Sequence, residues 1–111
     1  MPPTDDERLL HMLDFAREAI ALIAGKSTDE VMQDRVLSLA ITHLVETIGE
    51  AASGISASRQ ASLSEIPWRR VIGTRNRIIH GYANVDVRVV DSTIRDDLPA
   101  LVSSLERVLG Q

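Results

Sequence analysis

The sequence contains no cysteine, and only 3% of its 111 residues are aromatic. The absence of cysteine excludes disulfide bonds, thiolate metal ligands and a cysteine nucleophile. Because so few aromatic rings are available, the core must consist of Leu, Ile, Val and Ala, which favours helices packed closely on helices. A chain of this length supports one hydrophobic core. We therefore predict a single all-α domain over residues 1–111, an antiparallel bundle of four to six helices.

Long apolar runs and lysine are also scarce. No apolar run approaches the roughly 18 residues that span a membrane, and no signal-peptide pattern is present, so we expect a cytoplasmic protein with no membrane partner. Of the 12 basic residues 11 are Arg, a bias that a GC-rich genome explains. The net charge of −4 and a pI near 5.3 argue against a protein that coats nucleic acid indiscriminately, but both are compatible with a local basic site.

Apolar residues recur at helical spacing along most of the chain. Two capping boxes, Thr4 with Glu7 and Ser27 with Glu30, mark the starts of the first two helices. A stretch rich in Ser, Ala and Gln over 54–65 is typical of a loop, with room for one helical turn. Together these signals predict helices over residues 5–24, 28–33, 34–53 and 67–80, another from about residue 86, and a last one from about 97 to Gly110.

The most unusual stretch of the sequence runs from Trp68 to Tyr82. It contains the only Trp, the only Tyr and four of the twelve basic residues, but no acidic residue. Pro67 before it suits the first turn of a helix, and Gly81 suits a C-terminal cap, which predicts one continuous helix over 67–80. The basic character of this helix in an acidic chain makes it the candidate functional segment.

Arg75, Asn76 and His80 are the candidate catalytic residues of this helix. His80 lies at the predicted negative end of the helix dipole, and Asn76, four residues earlier, shares its face. Arg75 and His80 are about 140° apart around an ideal helix, so a ligand is gripped between them only if the helix end is distorted or a second subunit completes the site. As an alternative, all three side chains simply satisfy carbonyl groups at the helix end.

These residue types fit metal-independent cleavage of RNA. An Arg guanidinium binds a phosphate and its more highly charged transition state, and an Asn amide can orient the phosphate or the imidazole. A His with a pKa of about 6.5 takes or gives a proton at neutral pH. The 2′-hydroxyl of RNA supplies the nucleophile, so 2′,3′-cyclic phosphate and 5′-hydroxyl ends are expected and no cofactor is needed. Glu46 and Glu50 share a helix face but lack a third ligand, so we expect no metal site.

Glu50 and Arg77 are candidate supporting residues. Glu50 either orients Arg75 or Asn76 from the neighbouring helix, or belongs to a solvated edge or an ion pair with Arg. Arg77, like the two arginines that precede the motif, either adds non-specific attraction for the RNA backbone or belongs to a solvated helix face. Beyond the predicted cap, Tyr82 either contacts RNA, stacks on a base, serves as a modification site, or packs over the helix end.

The order Arg75, four residues, His80, one residue, Tyr82 resembles the Arg-x4-His-x-Tyr motif of HepT-like proteins, which belong to the HEPN superfamily. Two positions depart from the family pattern. Thr74 stands where Met is more usual, and Ala83-Asn84 replaces a more typical aromatic–Gly pair, but neither change removes a polar residue of the motif. The resemblance covers essentially the whole chain, because the family's order and spacing are also matched by residues 47–52, 65–68, 72–82, 85–86 and 97–101.

The resemblance implies an HEPN-like bundle that forms a homodimer, with the motif helices at the interface and both motifs in one composite cleft. It further implies that the motif is a ribonuclease site and that the chain is the toxin of a type VII-like toxin–antitoxin pair, whose antitoxin is a minimal nucleotidyltransferase. In similar proteins this partner transfers AMP to the motif tyrosine, which implies the same for Tyr82. AMP brings bulk and negative charge to a site that must accept an RNA phosphate, so we expect it to inhibit cleavage.

Two other functions are compatible with the sequence. One is a non-catalytic nucleotide- or partner-binding helical dimer that positions substrate for a nucleotidyltransferase. The other is a purely structural dimer in which the motif is only a helix cap. Cleavage of RNA by the purified protein would distinguish the ribonuclease from both.

Overall fold

The computed structural model describes residues 2–79 and 84–111, and within them the regular elements are helices, apart from one isolated bridge. Four of the eight described helices have ten or more residues and build the bundle. The predicted all-α class is confirmed. The helices are α1 Asp5–Ile23, α2 Thr28–Gln33, α3 Arg35–Ser53, α4 Ala57–Ser62, α5 Trp68–Ile72, α6 Thr74–Ile78, α7 Val87–Asp96 and α8 Leu98–Leu109.

Helix α1 is central to the bundle and packs against both α3 and α8. It runs antiparallel to α3, because Ser56, just beyond the end of α3, binds Asp5 at the start of α1. The backbone N–H of Ser56 donates to Asp5 Oδ1 at 3.1 Å and its hydroxyl donates to Oδ2 at 2.7 Å, and these bonds lower the pKa of the Asp5 carboxyl. The buried core is aliphatic, as the composition predicts, and includes Leu9, Met12, Leu13, Ile41, Val45, Ile48, Ile94, Leu101 and Leu105.

A buried carboxylate ties α7 to the connection between α1 and α2. Asp91 is only 2% exposed, and it accepts hydrogen bonds from the Thr28 hydroxyl at 2.8 Å and from Arg95 Nε at 2.9 and 3.0 Å. Arg95 in turn donates to the Lys26 carbonyl at 2.7 Å, and its contact with Asp91 raises its pKa. This network fixes the start of the bundle against α7, the helix that follows the motif segment.

Most predicted helix ends agree with the structure. The Thr4 hydroxyl accepts from Glu7 N–H at 3.1 Å, and the Ser27 box is complete. Gly110 ends α8 in the left-handed region with φ 70°. The predicted number of four to six helices is exceeded for two reasons: the stretch over 54–65 contains the six-residue helix α4, and the motif segment is divided in two.

The described helices were also compared with the requirements for crossing a bilayer. In residues 2–79 and 84–111, none combines the necessary length with a sufficiently apolar sequence.

Candidate active site

The segment that carries the motif is not one helix. It consists of α5 and α6, which are separated at Gly73 (φ −76°, ψ −3°), so the predicted continuous helix over 67–80 is wrong. The N–H of Gly73 ends α5 by donating to the Arg69 carbonyl at 2.9 Å. A Cβ atom at residue 73 would lie 2.9 Å from the same oxygen, closer than real Cβ contacts allow. The tight junction between the two helices therefore depends on the missing side chain of Gly73.

The motif segment also leaves the helix earlier than the sequence predicts. Helix α6 ends at Ile78, and Ile79 is extended (φ −100°, ψ 120°) and pairs with Val85 in an antiparallel bridge. In addition, the N–H of Asp86 donates to the Ile78 carbonyl at 2.6 Å. The chain before and the chain after residues 80–83 are therefore joined to each other by backbone hydrogen bonding.

Three residues of the predicted segment, His80, Gly81 and Tyr82, lie outside the described residues. Helix α6 ends at Ile78, so the helical spacing that predicted a shared face for Asn76 and His80 does not continue beyond Ile78. The expected cap at Gly81 and the roles of His80 and Tyr82 stay predictions.

Arg75 and Asn76 occupy the exposed side of α6. Both are solvent-exposed, and neither side chain hydrogen bonds or ion pairs with any other residue in 2–79 or 84–111. Only their backbones are engaged: Asn76 N–H donates to the Gly73 carbonyl at 3.1 Å, and the Arg75 carbonyl accepts from Ile79 N–H at 3.2 Å. Within the described part of the chain, these two side chains do not cap a helix end. A guanidinium and an amide next to each other are thus available to an anionic ligand.

The neighbouring arginines behave differently. Arg77 turns back along the segment: its Nη1 donates to the Arg70 carbonyl at 2.7 Å, and its Nη2 donates to the Thr74 hydroxyl at 2.9 Å. Arg70 forms an ion pair with Asp97 at 3.0 Å, at the junction of α7 and α8. Burial, followed by the nearby charge of Arg70, lowers the pKa of the Arg77 guanidinium. Arg77 thus satisfies the Arg70 carbonyl near the end of α5, a contact that was not among the two roles expected for it from the sequence.

The motif segment is docked on α3 through a glycine. A Cβ atom on Gly49 would lie 3.3 Å from the Val71 carbonyl and 3.8 Å from the Ile72 carbonyl, so the last turn of α5 approaches the backbone of α3 closely. On the other side, the Trp68 indole donates to the Leu63 carbonyl at 3.0 Å, while Ile78 is fully buried. These contacts fix α5 and α6 against the core and leave the side carrying Arg75 exposed.

We predict that Gly49→Ala shifts α5 and α6 with little loss of stability. The added methyl group pushes the Val71 carbonyl by a few tenths of an ångström, while the gain in helix propensity, about 1 kcal/mol, offsets the cost in unfolding free energy. NMR should show backbone amide shifts from Val71 to Asn76. Gly54→Ala is the matched control because its Cβ would meet only the flexible end of Arg8. Equal shifts in both variants would contradict this docking role.

Glu50, predicted as a supporting residue, is exposed on α3. Among the described residues, no hydrogen bond or ion pair joins its carboxylate to Arg75 or Asn76. Its role therefore stays a prediction. The described residues also contain no group of three or more His, Asp or Glu side chains arranged to hold a metal ion.

Two residues that hold the site were missed from the sequence. Thr74 was noted only as a departure from a family pattern, yet its buried hydroxyl accepts from Arg77 and donates to the Arg70 carbonyl at 3.0 Å. Asp97 was predicted as a helix start, yet its side chain makes no cap and instead binds Arg70. In the sequence, a Thr between two arginines only weakly indicates that its hydroxyl binds one of them. The pairing of Arg70 with Asp97, 27 residues apart, leaves no local pattern in the sequence.

An exposed apolar patch lies near the motif segment. We define the α3 patch as Val36, Leu39 and Val85, whose residues are 78%, 54% and 40% exposed. Val36 and Leu39 are three residues apart on one side of α3, and Leu39 lines a surface depression together with Asn84 and Val85. Adjacent exposed apolar side chains of this kind mark interaction surfaces. The patch therefore extends from α3 to the first described residues after 80–83.

Comparison with known proteins supports the resemblance to HepT-like proteins. Residues 12–108 match the family model described as ribonuclease HepT-like. A protein of Thermococcus cleftensis, provisionally named ribonuclease HepT, is 33% identical over 100 residues, 86% of this chain and 91% of that protein. A Caldanaerobacter subterraneus protein with a provisional RNase name is 30% identical over 101 residues, 91% of this chain and 90% of that protein. No solved structure matches the chain. The matched region spans most of the sequence, and the protein belongs to the HepT-like ribonuclease family.

Proposed function

We propose that this protein is the ribonuclease toxin of a toxin–antitoxin pair and cleaves RNA without a metal ion through Arg75, Asn76 and His80. The observation that carries the proposal is the contrast between neighbouring arginines. Arg75 is exposed with no partner for its guanidinium in residues 2–79 and 84–111, whereas Arg77 is held by the protein itself. Membership of the HepT-like ribonuclease family supports RNA as the ligand.

The chemistry requires no group beyond these side chains and the RNA. The imidazole of His80 removes the proton from a 2′-hydroxyl, and the 2′-oxygen attacks the adjacent phosphorus. Arg75 binds the non-bridging oxygens and stabilises the extra negative charge of the transition state, while the Asn76 amide orients the phosphate. The bond between phosphorus and the 5′-oxygen breaks, and that oxygen receives a proton from the imidazolium of His80. The products are a 2′,3′-cyclic phosphate and a 5′-hydroxyl.

The proposed site is completed by a second copy of the chain. We assign the α3 patch to this contact because its three exposed apolar side chains need a partner surface and because it includes Val85, which pairs with Ile79. A subunit that covers Val85 and Leu39 also lies beside the chain on both sides of residues 80–83. Formation of the dimer and assembly of a composite RNA cleft are thereby coupled.

Regulation is proposed to act through Tyr82. Incubation with ATP and the nucleotidyltransferase antitoxin is expected to add one or more AMP units to the protein, which mass spectrometry would detect, and to abolish RNA cleavage through charge repulsion and steric block. The Tyr82→Phe variant should cleave RNA and should resist both the mass gain and the inhibition. An undiminished mass gain in Tyr82→Phe would show that another residue is modified.

The proposed function is tested by RNA cleavage with the purified, unmodified protein in the presence of EDTA. Cleavage that leaves cyclic-phosphate ends and that is lost in His80→Ala would support a metal-independent ribonuclease. If a folded parent protein cleaves no RNA of several classes but binds nucleotide or the nucleotidyltransferase, the non-catalytic binding dimer is the better description. Thermal unfolding of each variant separates lost chemistry from lost structure.

A further inference from the structure

The junction between α5 and α6 contains a closed set of three hydrogen bonds. Arg77 Nη1 donates to the Arg70 carbonyl at 2.7 Å, Arg77 Nη2 donates to Thr74 Oγ1 at 2.9 Å, and Thr74 Oγ1 donates to the Arg70 carbonyl at 3.0 Å. The two bonds to the Arg70 carbonyl span the break at Gly73, where the regular helical pattern is interrupted, and the third joins Thr74 to Arg77 within α6. We call this arrangement, formed by Arg70, Thr74 and Arg77, the junction clamp.

The junction clamp is anchored to the rest of the bundle. Arg70 Nε and Nη2 each lie 3.0 Å from Asp97 Oδ2, at the start of α8. Thr74 is only 5% exposed, and with Arg70 and Arg77 it lines a small cavity against Val45 and Ile48 of α3. Arg77 is therefore half-buried beside this cavity, and one N–H of each of its Nη atoms is held by a protein oxygen.

The exposed pair Arg75 and Asn76 lies between the two clamp residues of α6. Thr74 precedes the pair and Arg77 follows it, so the clamp fixes both ends of the short peptide that carries them. A five-residue helix has too few internal hydrogen bonds to hold its own direction. The direction of α6 must therefore be set by contacts with the rest of the protein, which include the clamp at Thr74 and Arg77 and the buried side chain of Ile78.

We propose that Arg77, held by Thr74, is a positioning residue that aims Arg75 and Asn76 at the substrate rather than a contact to RNA. The inference rests on the proposed function. The fork geometry of a guanidinium is essential, because one planar group must reach a carbonyl and a hydroxyl at the same time. A Lys at this position retains the charge but cannot make both contacts.

The decisive variants are Arg77→Lys, which keeps the charge, and Thr74→Val, which removes the hydroxyl and changes no charge. Both are expected to lower kcat for RNA cleavage about tenfold or more, because small displacements of catalytic groups are costly, and to leave KM and its salt dependence near those of the parent. If Arg77 instead bound an RNA phosphate, Arg77→Lys would stay active, Thr74→Val would be neutral, and Arg77→Gln would raise KM and reduce the salt slope by roughly 0.7.

Hydrogen exchange tests the clamp independently of catalysis. The amides of Asn76 and Ile79, bonded to the Gly73 and Arg75 carbonyls, should exchange about tenfold faster in both variants, while amides of α1 keep their parental rates. Arg69→Gln is the matched control, since Arg69 is an exposed arginine of α5 whose side chain has no partner in the described residues. Its loss can weaken RNA binding and reduce the salt slope, but it should leave kcat and the exchange rates of Asn76 and Ile79 at parental values.

The outcomes separate the inference from the proposed function. Parental exchange rates at Asn76 and Ile79 in both variants would overturn the clamp, whatever the activity of the protein. Faster exchange together with an unchanged kcat would overturn the positioning role. If both variants exchange faster but the parent protein cleaves no RNA, the clamp remains as a structural device. Its role in cleavage and the proposed ribonuclease activity are then both refuted.

Discussion

Replacing Arg75 by Ala is expected to lower the rate of RNA cleavage about 100- to 1,000-fold, the loss typical for a removed transition-state donor. The same change should alter the free energy of unfolding by no more than about 0.5 kcal/mol, because an exposed side chain with no partner in the described residues is lost. Cleavage assays under single-turnover conditions, combined with urea unfolding, measure both quantities. A large loss of activity in a protein of parental stability would identify Arg75 as part of the chemistry.

Arg69→Ala is the matched control for this experiment. Arg69 is also an exposed arginine of the motif segment, and its side chain has no partner within residues 2–79 and 84–111. Since it lies in α5, before the junction, it can contribute only long-range attraction for RNA, worth less than about tenfold. Similar losses in the two variants would mean that the segment binds RNA by charge alone and that Arg75 has no special role.

The fold could be predicted largely from local signals. Thr4, Ser27 and Asp86 each bond the amide three residues later, so the start of each of these helices is encoded within one turn. The aliphatic core was likewise predictable from the helical spacing of the apolar residues. These features are predictable because the interacting groups are close in sequence and because few backbone conformations satisfy them.

The break in the motif segment could not be predicted by the same reasoning. Apolar spacing across Gly73 is compatible with one helix, and Gly within a helix is only modestly unfavourable. Besides Gly73 itself, the junction of α5 and α6 is accompanied by the clamp of Arg77, the anchor from Arg70 to Asp97, and the approach of α5 to Gly49. The contacts with Asp97 and Gly49 join helices that are distant in sequence, and their relative placement is not encoded locally.

The candidate site was predictable in part, and for a different reason. The residue types Arg75 and Asn76 indicated phosphate chemistry, but the choice of Arg75 over the other arginines came from a motif. The structure adds a physical distinction, since Arg70 and Arg77 are held by protein groups while Arg75 is not held by any described residue. Spacing on an assumed helix misjudged the end of the segment, because Ile79 leaves the helix to pair with Val85.

Leu39→Glu is predicted to separate the proposed dimer and, with it, to abolish RNA cleavage. Leu39 is 54% exposed in the single chain, so a Glu there is tolerated by the monomer fold. In a two-fold dimer the change occurs twice in one interface, and each carboxylate must be removed from water next to apolar groups. We expect the dissociation constant to rise at least about 100-fold, as measured by analytical ultracentrifugation.

Leu10→Glu is the control that makes the result specific to the α3 patch. Leu10 is also a large exposed apolar residue, at 38%, but it lies on α1 beside the end of α8 rather than near the motif segment. This variant should remain dimeric and active, since general surface polarity is changed equally in both proteins. A dimeric Leu39→Glu variant would show that the second copy binds elsewhere. A monomeric variant with parental cleavage rates would show that each chain carries a complete site, because loss of the partner would then remove nothing that the reaction needs.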